Sequence, residues 1–150
     1  MSTGTETNAA TAGLRGVVAA QSAIGDVNGE EGILIYQGYD IHDLAEHSTF
    51  EEVIFLLWNG RLPKADELAE LKSRFQANYA IPDEIVAMMK TFPADATPMD
   101  VLRTTVSALG FYDQDSHKID RENAVETAVK LTGQIGTLVA ARERVRSGND

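Results

Sequence analysis

Residues Asp120–Gly148 read DRENAVETAVKLTGQIGTLVAARERVRSG. Val125, Ala128, Leu131, Ile135, Leu138 and Val139 recur at helical spacing. Gly133, Gly136 and Ala140 add a flat strip of small residues. An interior glycine costs a helix about 1 kcal/mol against alanine, so close approach of another backbone is the compensation this pattern asks for. The reading is one long helix whose apolar side exceeds what a 150-residue chain can cover alone. A chain built on it is expected to work joined to something else.

Moving upstream, FYDQDSHKI (111–119) is a polar, acidic loop. Before it, Thr97-Pro98-Met99-Asp100 opens a helix with a cap, a proline and an acid. That helix runs through Val101, Leu102, Thr105 and Leu109, and Gly110 is expected to close it. Pro82, Asp83 and Glu84 start another helix, with Ile85, Met88, Met89 and Phe92 as its stripe. KADELAELKSRFQANY (64–79) carries Leu68, Leu71 and Phe75 on one face. In STFEEVIFLLWNG (48–60), Thr49 and Glu52 have capping-box spacing, and Phe50, Val53, Ile54 and Leu57 form a stripe that Gly60 ends. A short helix spans 41–46.

Residues 13–36 read as a β-hairpin. One strand is expected over 17–24, the other over 33–36, with Asn28-Gly29 as the tight turn. The first twelve residues, MSTGTETNAATA, are small and polar and are expected to form a disordered tail. They lack the basic start and apolar centre of a secretion signal. The fold class is therefore all-α with a short N-terminal β-hairpin.

Thirteen Lys and Arg stand against 23 Asp and Glu, a formal charge of −10. A phosphate backbone repels that balance, so no nucleic-acid partner is expected. No apolar run approaches the ~20 residues of a membrane span, so no membrane partner is expected either. With no cysteine there is no disulfide, thiolate metal site or cysteine nucleophile. A cytoplasmic location is the default.

Several small constellations invite a chemical reading. His42 and His47 are five apart, whereas a helical zinc pair needs three or four to share a face. Asp113, Asp115, His117 and Asp120 resemble the start of a calcium loop, but Lys118 and Ala124 occupy the places that need glycine and glutamate. Gly25, Gly29 and Gly32 lack the lysine and helix of a phosphate loop and suit hairpin turns. Arg142, Arg144 and Arg146 alternate, which gives a collar near a helix C-terminus, where cations are favourable. No Gly-x-Ser-x-Gly elbow is present. Residue chemistry alone assigns no catalytic, cofactor-binding or metal site.

Gly13–Pro63, GLRGVVAAQSAIGDVNGEEGILIYQGYDIHDLAEHSTFEEVIFLLWNGRLP, resembles the opening of the citrate synthases, including the 2-methylcitrate synthases. It carries their hairpin, their Tyr-Arg-Gly-Tyr-x-Ile turn and their Ser-Thr-Phe-Glu-Glu-Val helix. PMDVLRTTVSALG (98–110) resembles the helix that begins His-Pro-Met, and residues 131–148 resemble the one ending Ala-x-Arg-x-Arg-x-Gly. Gln37 replaces the usual arginine of the turn, and Thr97 the usual histidine before Pro-Met. In some bacterial members that region contributes to a regulatory nucleotide site, which the missing histidine argues against here.

The resemblance implies that 13–150 is the N-terminal part of a citrate synthase large domain. It implies Claisen-type condensation of acetyl-CoA with oxaloacetate in the complete enzyme, with no metal or redox cofactor. There, a carboxylate removes the methyl proton while histidines stabilise the enol and polarise the ketone. None of the family's catalytic histidines or aspartate matches His42, His47 or His117 or any other position. The chain is thus expected to be a truncated piece that supplies scaffold and dimer interface and is inactive alone. Its expected partners are a second copy, through helices 98–109 and 121–147, or the missing C-terminal part. The alternative is a free-standing relative that binds or regulates a full-length synthase.

Overall fold

The computed structural model describes residues 22–149. They divide into two compact units, one reaching to Leu62 and one from Pro63 onward.

In the first unit, β1 (Gly25–Asn28), β2 (Ile33–Tyr36) and β3 (Tyr39–Asp40) form an antiparallel sheet in the order β1-β2-β3. Gly25 faces Tyr36 and Asn28 faces Ile33. The strand expected over 17–24 is corrected. Residues 17–21 lie outside the described residues, 22–24 are not strand, and β1 begins at Gly25. The turn also differs, since four residues, Gly29–Gly32, link the strands. The Asn28 side chain organises them by accepting from the Glu30 and Glu31 N–H groups, both at 3.2 Å. The positive φ falls on Gly32, at 70°. β3 was not anticipated. It follows a two-residue turn at Gln37-Gly38, whose φ values of 50° and 88° suit a type I′ hairpin.

Helix α1 (Ile41–His47) starts at Asp40, whose carboxylate accepts from the His42 N–H. Helix α2 (Phe50–Asn59) has the expected reciprocal cap. Glu52 accepts from the Thr49 N–H at 2.7 Å, Thr49 Oγ1 accepts in return at 3.4 Å, and Gly60 ends the helix with φ 73°. Leu44 and Leu56 are the buried apolar residues of this unit, whereas Phe50 is 69% exposed.

The second unit is helical: α3 (Ala65–Ala77), α4 (Asp83–Lys90), α5 (Pro98–Leu109) and α6 (Arg121–Arg146). Thr97 Oγ1 accepts from the Asp100 N–H and caps α5. Gly110 does not close α5 in a left-handed turn. Its φ is −60°, and the chain tightens into a 3-10 turn over Gly110–Tyr112. Asp120 caps α6 by accepting from Asn123 N. Helix α6 packs on α3, α4 and α5. Ile85 and Met89 of α4, Val101, Ala108 and Leu109 of α5 and Leu138 of α6 form the core. Thr105 is fully buried among them and donates to Val101 O at 2.9 Å.

Candidate functional site

Helix α6 touches every other helix of the second unit. At about 100° per residue, Val129 and Gly133 lie on nearly the opposite side from Leu138 and Arg142. All four are buried. The helix therefore buries two sides at different heights. Leu138 enters the core of α4 and α5. Gly133 meets the end of α3: a Cβ built there would sit 2.9 Å from Asn78 O and 3.2 Å from Phe75 O. Glycine is required at that crossing because the neighbour is backbone.

A third side of α6 stays open. Ile135 is 40% and Val139 55% exposed. Gly136 and Ala140 are exposed beside them, and a Cβ at Gly136 would meet nothing within 4 Å. The small-residue strip expected along Gly133, Gly136 and Ala140 is thus two features. Gly133 is consumed inside the chain, while Gly136 and Ala140 face outward with two large apolar neighbours. Helix α5 leaves Met99 69% exposed, with Arg103 and Ser107 exposed further along it.

An open cleft of about 480 Å³ lies where the end of α3, the start of α4, the end of α5 and the middle of α6 meet. Ile81, Leu109, Tyr112 and Leu131 supply its apolar wall. Several of its polar groups are already engaged. Lys130 Nζ donates to Asp113 Oδ1 at 3.1 Å, and Gln134 Nε2 donates to Ala80 O at 3.1 Å. The hydrogen bond from Lys130 holds the Asp113 carboxyl below its usual pKa, with help from the Asp115 N–H.

The residues singled out by motif fall elsewhere. His42 is exposed and bonds Asp40 at 2.9 Å, and His47 bonds Asp43 O at 3.1 Å. His117 is exposed on a loop held by several contacts: Asn123 Nδ2 donates to Asp115 O and Lys118 O, and Lys118 pairs with Asp115 at 2.7 Å. Among the described residues, no three His, Cys, Asp or Glu side chains cluster so as to hold a metal ion. Gly25 belongs to β1 and not to a turn; only Gly29 and Gly32 lie in the loop.

The arginine collar also resolves unequally. Arg142 is 8% exposed and donates to Pro93 O at 3.0 Å and Ala94 O at 3.4 Å, tying down the loop before α5. Arg146 pairs with Glu143 at 2.8 Å. That bond, with one from Ser147, lowers the Glu143 pKa to about 2. Spacing could not separate these arginines, because only tertiary contact distinguishes a buried guanidinium from a solvated one. No helix among the described residues is long and apolar enough to cross a membrane.

The family model described as "Citrate synthase, C-terminal domain" matches residues 13–150, and the chain belongs to the citrate synthase family. It is 41% identical over 140 residues to citrate synthase 2 of Bacillus subtilis, covering 93% of this chain and 37% of that protein. It is 37% identical over 138 residues to 2-methylcitrate synthase 2 of Corynebacterium glutamicum, covering 92% and 36%. The crystal structure of citrate synthase from Pyrobaculum aerophilum superposes with a TM-score of 0.81 at 33% identity, over 92% of this chain and 37% of that one. The chain thus spans little more than a third of the length of the curated relatives it matches. The Thermoplasma acidophilum enzyme, solved as a ternary complex with carboxymethyl coenzyme A and oxaloacetate, shares the fold at a TM-score of 0.82 and 23% identity.

Proposed function

We propose that this chain is the scaffold and self-association portion of a citrate synthase. The activity it serves is condensation of acetyl-CoA, or a close acyl-CoA, with oxaloacetate. The observation that carries the reading is the outward side of α6. Ile135, Val139, Gly136 and Ala140 make an exposed patch of apolar and small residues spread over about 140° of the helix, between the bearings of its two buried contacts. Its two small residues, Gly136 and Ala140, leave room for a second helix to approach closely. Obligate interfaces of this kind are large and resemble a core cut in half. The occupant is a second copy of the chain, meeting it through residues 98–109 and 121–147.

No residue of this chain is given a catalytic, cofactor-binding or metal-binding role. The condensation chemistry belongs to the part of the family's length that these residues do not span. The placement of 13–150 within the large domain of such an enzyme is part of the same proposal, as is a cytoplasmic setting.

The test has two arms. Multi-angle light scattering of the purified chain should give at least twice its 16.3 kDa. A coupled assay for free coenzyme A, supplied with acetyl-CoA and oxaloacetate, should give no turnover. A monomeric mass at concentrations well above micromolar removes the self-association reading. Turnover by the chain itself removes the scaffold reading.

A further inference from the structure

The sequence contains two Asn-Gly pairs, Asn28-Gly29 and Asn59-Gly60. Glycine after asparagine leaves the next peptide nitrogen open to the side-chain carboxamide, because no Cβ blocks the approach. What the two pairs share in sequence, the fold separates.

Asn28 is exposed at the end of β1. Its Oδ1 accepts from both Glu30 N and Glu31 N, so the carboxamide curls back over the Gly29 peptide. The same two donors stabilise negative charge that would build on Oδ1 when Cγ is attacked. Gly29 has open space around it, and among the described residues no backbone hydrogen bond engages its N–H. Asn59 is the last residue of α2, and its neighbour is tied down. The Gly60 N–H donates to Leu56 O at 2.7 Å, and Asn59 Nδ2 donates to Phe55 O at 3.0 Å.

We propose that Asn28 is a spontaneous modification site, where the carboxamide closes onto the Gly29 nitrogen and ends as aspartate or isoaspartate. The Gly29 nitrogen loses its proton to solvent base and bonds Asn28 Cγ. The Cγ–Nδ2 bond breaks, and Nδ2 takes up one proton and leaves as ammonia. Water then adds to either carbonyl of the five-membered succinimide and reopens it. No oxidant or reductant is consumed.

The conversion changes the hairpin. Asn28 Nδ2 donates to Glu31 Oε2 at 2.9 Å, and the product places a carboxylate there instead. Isoaspartate also adds a methylene to the main chain at the residue that pairs with Ile33. The formal charge moves from −10 by one further negative unit.

Peptide mapping by mass spectrometry, on the folded chain held at mildly alkaline pH, follows both sites in one sample. Attack at Asn59 requires opening both of those hydrogen bonds, so Asn28 should convert at least about tenfold faster. In concentrated urea the two rates should approach each other. Gly29→Ala should slow conversion at site 28 and leave site 59 unchanged. Equal rates in the folded chain, or a faster Asn59, overturn the proposal. So does an Asn28 that converts in urea and stays intact in the native protein.

Discussion

The contrast between Gly133 and Gly136 turns the reading of α6 into a measurement. Both lie inside one helix, so replacing either with alanine gains the same intrinsic propensity, about 1 kcal/mol. At Gly133 the new Cβ would lie 2.9 Å from Asn78 O and 3.2 Å from Phe75 O, and neither carbonyl is the end of a flexible side chain. Helix α3 must move, and overpacking of this kind costs about 1–3 kcal/mol. At Gly136 the new Cβ would meet nothing within 4 Å beyond its own stretch of helix. The propensity gain cancels in the difference between the variants, which leaves the clash alone. Gly133→Ala should therefore be about 1–3 kcal/mol less stable than Gly136→Ala. Urea unfolding followed by far-ultraviolet circular dichroism should show a midpoint gap of roughly 1 M, given a slope of about 1–3 kcal/mol/M. Repeating the titration at two protein concentrations separates any effect of Gly136→Ala on self-association, which depends on concentration, from the clash, which does not. Equal midpoints for the two variants would refute the close approach of α6 to α3.

Further outcomes follow from the same contacts. Arg142→Met removes the donor that satisfies Pro93 O and Ala94 O; it should cost about 2–3 kcal/mol in thermal or urea unfolding. Thr97→Ala should cost about 1 kcal/mol by uncapping α5, whereas Thr97→Ser should keep most of it. Asp113 has a folded pKa below its ordinary 3.8, so its contact with Lys130 stabilises the fold above that pH and is lost as pH falls below it. Asp113→Asn should flatten the acid limb of a stability–pH curve and leave the limb above pH 8 unchanged. Val139→Asp should lower the mass seen by light scattering without reducing helix content, because Val139 is 55% exposed within the chain.

Much of the helical half was legible because its boundaries are local chemistry. The Thr49–Glu52 cap, the Thr97 cap and the Asp120 start of α6 each depend on residues within three positions of each other. The hairpin was legible in part: its second strand lies where expected, whereas of the expected first strand only 22–24 fall among the described residues and these are not strand. The first described strand is Gly25–Asn28, followed by a four-residue link that the Asn28 side chain holds by accepting from Glu30 and Glu31. The link is also two residues longer than an Asn-Gly tight turn, because Asn28 itself still pairs with Ile33. The Lys130–Asp113 contact and the burial of Arg142 were not legible. They join residues 17 and 49 positions apart and depend on helix packing that no local pattern encodes.

The long helix shows why periodicity both succeeded and misled. An apolar residue at each of several helical positions states only that the helix buries something. It does not say that one side serves throughout. In α6 the side that meets α3 around Val129 and Gly133 is nearly opposite the one that meets α4 and α5 around Leu138. The predicted stripe from Val125 to Val139 straddles the edge between the core side and the open side, so Leu138 is buried and Val139 is not. A helix clamped from two directions has little freedom to rotate, and its remaining apolar side is held in one orientation. An exposed Ile135 and Val139 on a loosely attached helix would be ordinary surface residues. On this one they are what the proposed self-association would use, and a face already fixed in orientation would lose little freedom on meeting a second helix.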